Sequence, residues 1–120
     1  LARYGSLLER VRAVLGPAAR LTAAVPVWWP EASYREAARS VDALYLMAYG
    51  SADPERIAAR VRPILAALGD TPAVVVLRVE DFRDEWHLEQ VVDAVAAATG
   101  VHRFAVHKLG SYLRLAEGGR

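Results

Sequence analysis

Cysteine is absent from this sequence of 120 residues. That excludes disulfides, thiol nucleophiles and cysteine-bound metals, and it leaves the compartment open. Neither sign of charge dominates: 15 basic residues face 14 acidic ones, for a net charge of +1. Such a balance carries no electrostatic footprint for nucleic acid or for an anionic membrane surface, so neither partner is expected. No apolar run approaches the roughly 20 residues of a membrane span. There is no charge-run tail, no low-complexity segment and no linker composition. What is present is hydrophobic: 54% of the residues, enough for one core and one domain over 1–120.

The apolar residues alternate between two periods. Residues 3–15 place Leu7, Leu8, Val11, Val14 and Leu15 at helical spacing, and Gly16-Pro17 stops that helix. A strand over 21–27 follows, then a short helix over 30–39 with Tyr34, Ala37 and Ala38 as its apolar contacts. Residues 41–49 form the central strand, with Leu44, Leu46 and Ala48 on one side and Ala43, Tyr45, Met47 and Tyr49 on the other. Apolar residues on both sides predict a parallel strand covered by helices.

Asp53-Pro54 caps the next helix, whose stripe is Ile57, Val61, Ile64, Leu65 and Leu68. Pro63 lies inside it and predicts a kink or a restart. A third strand spans 73–79. A fourth helix lies within 81–99, with Leu88, Val91, Val92 and Val95 inward and Gly100 as its stop. A strand over 102–108 and a short helix over 111–117 close the pattern. The fold class is therefore α/β: four parallel strands alternating with helices through right-handed crossovers. Four such units make either a small open sheet or half of an eight-stranded (β/α)8 barrel.

In parallel α/β folds ligands meet the carboxyl ends of strands, so those ends hold the candidate residues. Tyr49 ends the central strand and can donate to a ligand oxygen, or it can pack over the core. Trp28 and Trp29 follow the first strand, and a flat indole makes a platform for a sugar ring. Adjacent residues point opposite ways, so at most one of the two faces the mouth and the other packs inward. Arg78 and Glu80 share a face at the end of the third strand, where they hold a polar ligand or satisfy each other. Glu80 is also a candidate for a catalytic acid or base. Asp81 and Asp84 read as helix caps.

His107 and Lys108 end the fourth strand, and one of them faces the mouth. A neutral histidine there serves a hydroxyl or a proton transfer, or it bonds a neighbouring loop. His102 and His107 face opposite sides and His87 is helical, so the histidines form no metal set. No phosphate loop, nucleophile elbow or metalloprotease helix is present, and no cofactor is expected.

Several segments, in this order, resemble the second half of a glycoside hydrolase family 18 (chitinase-like) barrel. Tyr4-Gly5-Ser6-Leu7-Leu8-Glu9-Arg10-Val11-Arg12 is similar to the helix after that family's fourth strand. Leu21-Thr22-Ala23-Ala24-Val25-Pro26 is similar to its fifth strand. Val41-Asp42-Ala43-Leu44-Tyr45-Leu46-Met47-Ala48-Tyr49 is similar to its sixth, which typically ends in Met-x-Tyr-Asp. The segments 73–79 and 104–107 take the places of strands seven and eight.

The resemblance implies a carbohydrate ligand, with Tyr49 inheriting the substrate-positioning role of the sixth strand's tyrosine. Two departures bear on activity. The family's Asp-x-x-Asp-x-Asp-x-Glu motif, which carries the catalytic acid, is not in these residues, so the chain alone is expected to lack that hydrolysis. Gly50 stands where the family has Asp or Asn. Three readings stay open: part of a family 18-like hydrolase, a catalytically silent carbohydrate-binding barrel, or another barrel enzyme using Glu80. Resemblance alone suggests an exported parent. The opening at Leu1, within a helix, suggests a piece of a longer chain. A half-barrel has two open strand edges, so closure by a second copy or by an amino-terminal half is expected.

Overall fold

The computed structural model describes residues 2–107. Four helices and four strands alternate: α1 (Ala2–Leu15), β1 (Thr22–Pro26), α2 (Glu31–Ala38), β2 (Ala43–Met47), α3 (Pro54–Leu68), β3 (Ala73–Arg78), α4 (Glu85–Thr99) and β4 (Phe104–His107). A 3-10 turn, Val79–Asp81, joins β3 to the loop before α4. The strands form one parallel sheet in the order β1-β2-β3-β4. Lys108, the Gly110 turn and the helix expected over 111–117 lie outside the described residues.

Strand order explains where the core lies. Each crossover moves one strand in the same direction, and crossovers of one hand then put every helix on the same face. Burial agrees. Ala23, Val25, Leu44, Leu46, Ala48, Val75 and Leu77 pack with Leu8 of α1, Tyr34 of α2, Ile57 of α3 and Val95 of α4 in one cluster. The opposite face carries Ala24, Tyr45, Met47, Val76 and Ala105, none of which belongs to that cluster. Tyr45 and Met47 are only half-buried. The two-sided apolar pattern of β2 thus has a helical cover on one side among the described residues.

The helices differ from expectation in two places. α3 runs unbroken through Pro63. Pro63 and Ala59, whose carbonyl loses its helical donor there, are both exposed, so water can take up the freed carbonyl. In α1 only Leu8 of the apolar stripe is buried; Leu7, Val14 and Leu15 are exposed. The reason is position: α1 lies at the β1 end of the helix layer, and among the described residues its main helical neighbour is α2.

A polar clasp fixes α1 to the sheet. Asp42 accepts the Leu21 backbone N–H at 2.7 Å and pairs with Arg12 at 2.9 Å. Arg12 also donates to the carbonyls of Ala19 and Ser40. The Leu21 N–H first, and then Arg12, hold the Asp42 carboxyl below its ordinary value of 3.8. A carboxyl lowered in the fold contributes stability that is present above its unfolded pKa and lost as pH falls through the folded one. Asp42→Asn should therefore weaken the fold at neutral pH and flatten the acid limb below the ordinary carboxylate range. Chemical denaturation of both chains at a series of pH values checks this; parallel pH profiles would refute it.

Candidate functional site

Strand register brings three side chains to one row at the carboxyl end of the open face. Arg78 and His107 are direct partners across β3 and β4. Tyr49 lies two residues past Met47, which pairs with Val76, so it stands level with them. The tyrosine hydroxyl is 3.2 Å from His107 Nδ1, within hydrogen-bond reach. The Arg78 guanidinium lies 5.6 Å from the centre of the Tyr49 ring, in cation–π range.

Asp81 organises the loops around this row. One carboxylate oxygen accepts from Arg78 at 2.8 Å, and the other accepts the Gly50 backbone N–H at 2.8 Å. Asp81 first, then the charges of Glu80 and Tyr49, raise the pKa of Arg78 above its ordinary value. Glu80 is exposed on the 3-10 turn, so it is not in line with Arg78 along a strand. Arg78 Nε is buried and has no hydrogen-bond partner among the described residues. Gly50 adopts a φ of 91°, in the left-handed region, which lets its N–H turn toward Asp81.

The tryptophans separate as adjacent residues must. Trp29 packs against Tyr4 at 5.3 Å and Tyr34 at 5.8 Å between ring centres, and its backbone N–H donates to the Tyr34 hydroxyl. Trp28 is 77% exposed. With Pro26, Val27, Met47, Tyr49 and Arg60 it lines a hollow of about 400 Å³. Tyr49 therefore joins two regions: an aromatic hollow on one side and the His107–Arg78–Asp81 group on the other.

Sequence reasoning named Trp28, Tyr49, Arg78 and His107, which meet at this mouth. It also named Trp29, which the structure commits to the α1–α2 side. Asp81 and Arg60 were missed. Asp81 read as a helix cap, but α4 starts only at Glu85, and Asp84 caps it by accepting the His87 N–H. The spacing Arg78-x-x-Asp81 was the available signal, and the intervening 3-10 turn makes it a contact.

The arrangement offers an aromatic plane, a phenol–imidazole pair and a guanidinium anchored by a carboxylate. These are hydrogen-bonding and stacking groups. Among the described residues, no group of three or more histidines and carboxylates is placed to hold a metal, and no helix is long and apolar enough to cross a membrane. Comparison with protein-family models, with curated proteins and with solved structures gave no match.

Proposed function

We propose that this chain is half of a (β/α)8 barrel similar to glycoside hydrolase family 18, and that its strand ends form the binding wall of a carbohydrate site without supplying the catalytic acid. The observation that carries the reading is the exposed Trp28 plane sharing a hollow with Tyr49, whose hydroxyl reaches His107. An exposed indole next to fixed hydrogen-bonding groups suits a ring that is apolar on its face and polar at its edge. Sequential parallel strands, with one face that no described helix covers, support the barrel half.

Gly50 favours a silent binding role over hydrolysis. It places no side chain after Tyr49, and Asp81, whose carboxylate accepts the Gly50 N–H, has both oxygens engaged by donors. Its tie to Arg78 and Gly50 makes Asp81 a positioning residue for the mouth. The hydrolase reading with Glu80 as acid or base keeps one argument, the exposure of Glu80 at the same strand end.

Titration of the chain with a chito-oligosaccharide, followed by amide NMR shifts, tests the proposal. Shifts should centre on Trp28, Tyr49 and His107. Trp28→Ala should weaken binding about tenfold, as loss of a stacking plane worth about 1.4 kcal/mol would do. Shifts scattered over the surface, or equal binding by Trp28→Ala, would defeat it. If turnover is seen and Glu80→Gln abolishes it with binding retained, Glu80 is the catalyst instead.

A further inference from the structure

The two flanks of the chain expose apolar surfaces of opposite character. On the β1 flank, α1 presents Leu7, Val11, Val14 and Leu15, with Arg10 beside them. Val14 is 86% exposed, far beyond what a helix needs for packing on α2. On the β4 flank, Leu88, Val92, Phe104 and Val106 line a hollow of about 320 Å³ whose rim holds Glu89 and Asp93. One surface is a ridge with a cation; the other is a groove with two anions.

Position in the fold gives these surfaces a common logic. α2, α3 and α4 each precede a strand and pack over the sheet beside the helix before them. α1 precedes β1, and among the described residues no strand or helix stands on its outer side. Among the described residues β4 has a strand neighbour on one edge only. A unit placed next to β1 would present its last strand and last helix to α1, which is the surface that the β4 flank offers.

We propose that a second copy of this chain occupies both flanks, so that α1 of each copy lies in the α4–β4 groove of the other. This inference rests on the barrel reading of the sheet and not on its ligand. Ridge meets groove in two equivalent seams related by a half-turn, so that each residue pair across one seam recurs across the other, the isologous arrangement of a two-fold dimer. Two copies related by a half-turn give eight parallel strands, the number at which a barrel interior is filled by side chains. Closure pairs β4 of each copy with β1 of the other and removes both edges. It brings Arg10 toward the partner's Glu89 and Asp93, which selects this seam over an α1–α1 contact that would oppose arginine to arginine. It also encloses Tyr45 and Met47, which are half-buried on a face with no helical cover among the described residues.

Sedimentation velocity of the 120-residue chain across a wide concentration range tests this. The chain should be dimeric. Val14→Glu and Val106→Glu, both at exposed positions, should each weaken the dimer at least about a hundredfold, because each places a carboxylate in both apolar seams. An equimolar mixture of Val14→Lys and Val106→Glu should recover dimer, because the opposite charges then share one seam and the other seam stays apolar. In the mixed pair one seam carries both substitutions and the other carries none. Three results would overturn the proposal. A monomeric parent chain would show that the flanks are filled otherwise, by residues 108–120 or by a different partner. Dissociation by Val14→Glu with no effect of Val106→Glu would show an α1–α1 dimer. Failure of the mixture to recover dimer would exclude a ridge-in-groove seam. Neither substituted residue belongs to the Tyr49 cluster, so the sugar titration on the same variants reports on the ligand separately.

Discussion

Tyr34→Ala should be among the most destabilising single substitutions in this chain, by about 3–5 kcal/mol, as large aromatic truncations in cores are. Tyr34 is 1% exposed and is one of the largest fully buried side chains. Its ring fills the space between α2, the end of β1 and the Trp29 indole. Its hydroxyl donates to the Pro26 carbonyl and accepts the Trp29 N–H, so one oxygen satisfies two backbone groups of the turn after β1.

Tyr34→Phe separates the two contributions. It keeps the ring and removes only the bridge, which should cost about 1–3 kcal/mol, the range for leaving buried polar groups unpaired. Against a total stability of about 5–15 kcal/mol for a domain, the alanine variant would be near unfolding and the phenylalanine variant would remain folded. Urea midpoints at constant slope measure both. Equal losses for the two variants would mean that the bridge carries everything and the ring packing nothing.

The same residue predicts an alkaline signature. Burial raises the Tyr34 pKa above its ordinary value of 10.0, and the Trp29 N–H offsets part of that rise. A group raised in the fold contributes stability that is full below its unfolded pKa and lost as pH climbs through the folded one. Stability should therefore decline above about pH 10 in the parent chain, and that component should vanish in Tyr34→Phe. The consequence reaches the mouth. Tyr34 holds Trp29 inward, and Trp28 faces the hollow because its neighbour is so held. Loosening the turn should broaden Trp28 signals even where the fold survives.

The order of elements was legible because burial in this fold is periodic. Ile57, Val61, Ile64 and Leu68 in α3, and Leu88, Val91 and Val95 in α4, repeat at helical spacing and are buried at that spacing. β2 was legible from its run of apolar residues. What periodicity does not encode is the identity of the neighbour. The stripe of α1 has the same pattern as that of α3, yet Val14 faces water, because exposure depends on whether another element stands outside α1. The mouth divided in the same way. Strand alternation separates Trp28 from Trp29, and strand ends select Tyr49, Arg78 and His107. Asp81 depends on a 3-10 turn that delays α4 by four residues, and no spacing rule distinguishes that turn from an early helix start.

Leu46→Ala and Met47→Ala, adjacent on β2, should differ sharply, and their difference measures how one-sided the core is. Leu46 is 0% exposed and sits in the cluster shared by the strands and helices. Its truncation leaves a cavity that rigid neighbours on both sides cannot close, at a cost of about 2–5 kcal/mol. Met47 points to the other face, is half-buried and lies outside that cluster. Its flexible side chain leaves little cavity behind, so truncation in a single copy should cost below about 1 kcal/mol, nearer to a surface substitution. Denaturation in the Val14→Glu background, which the proposed dimer contact predicts to be monomeric, isolates this contrast. If the proposed dimer closes a barrel over that face, the Met47 penalty in the parent chain should grow with protein concentration. A penalty for Met47→Ala that is as large as that for Leu46→Ala in the monomeric background would mean that the face is already covered within one chain. A penalty that stays small at every concentration would mean that nothing closes over it.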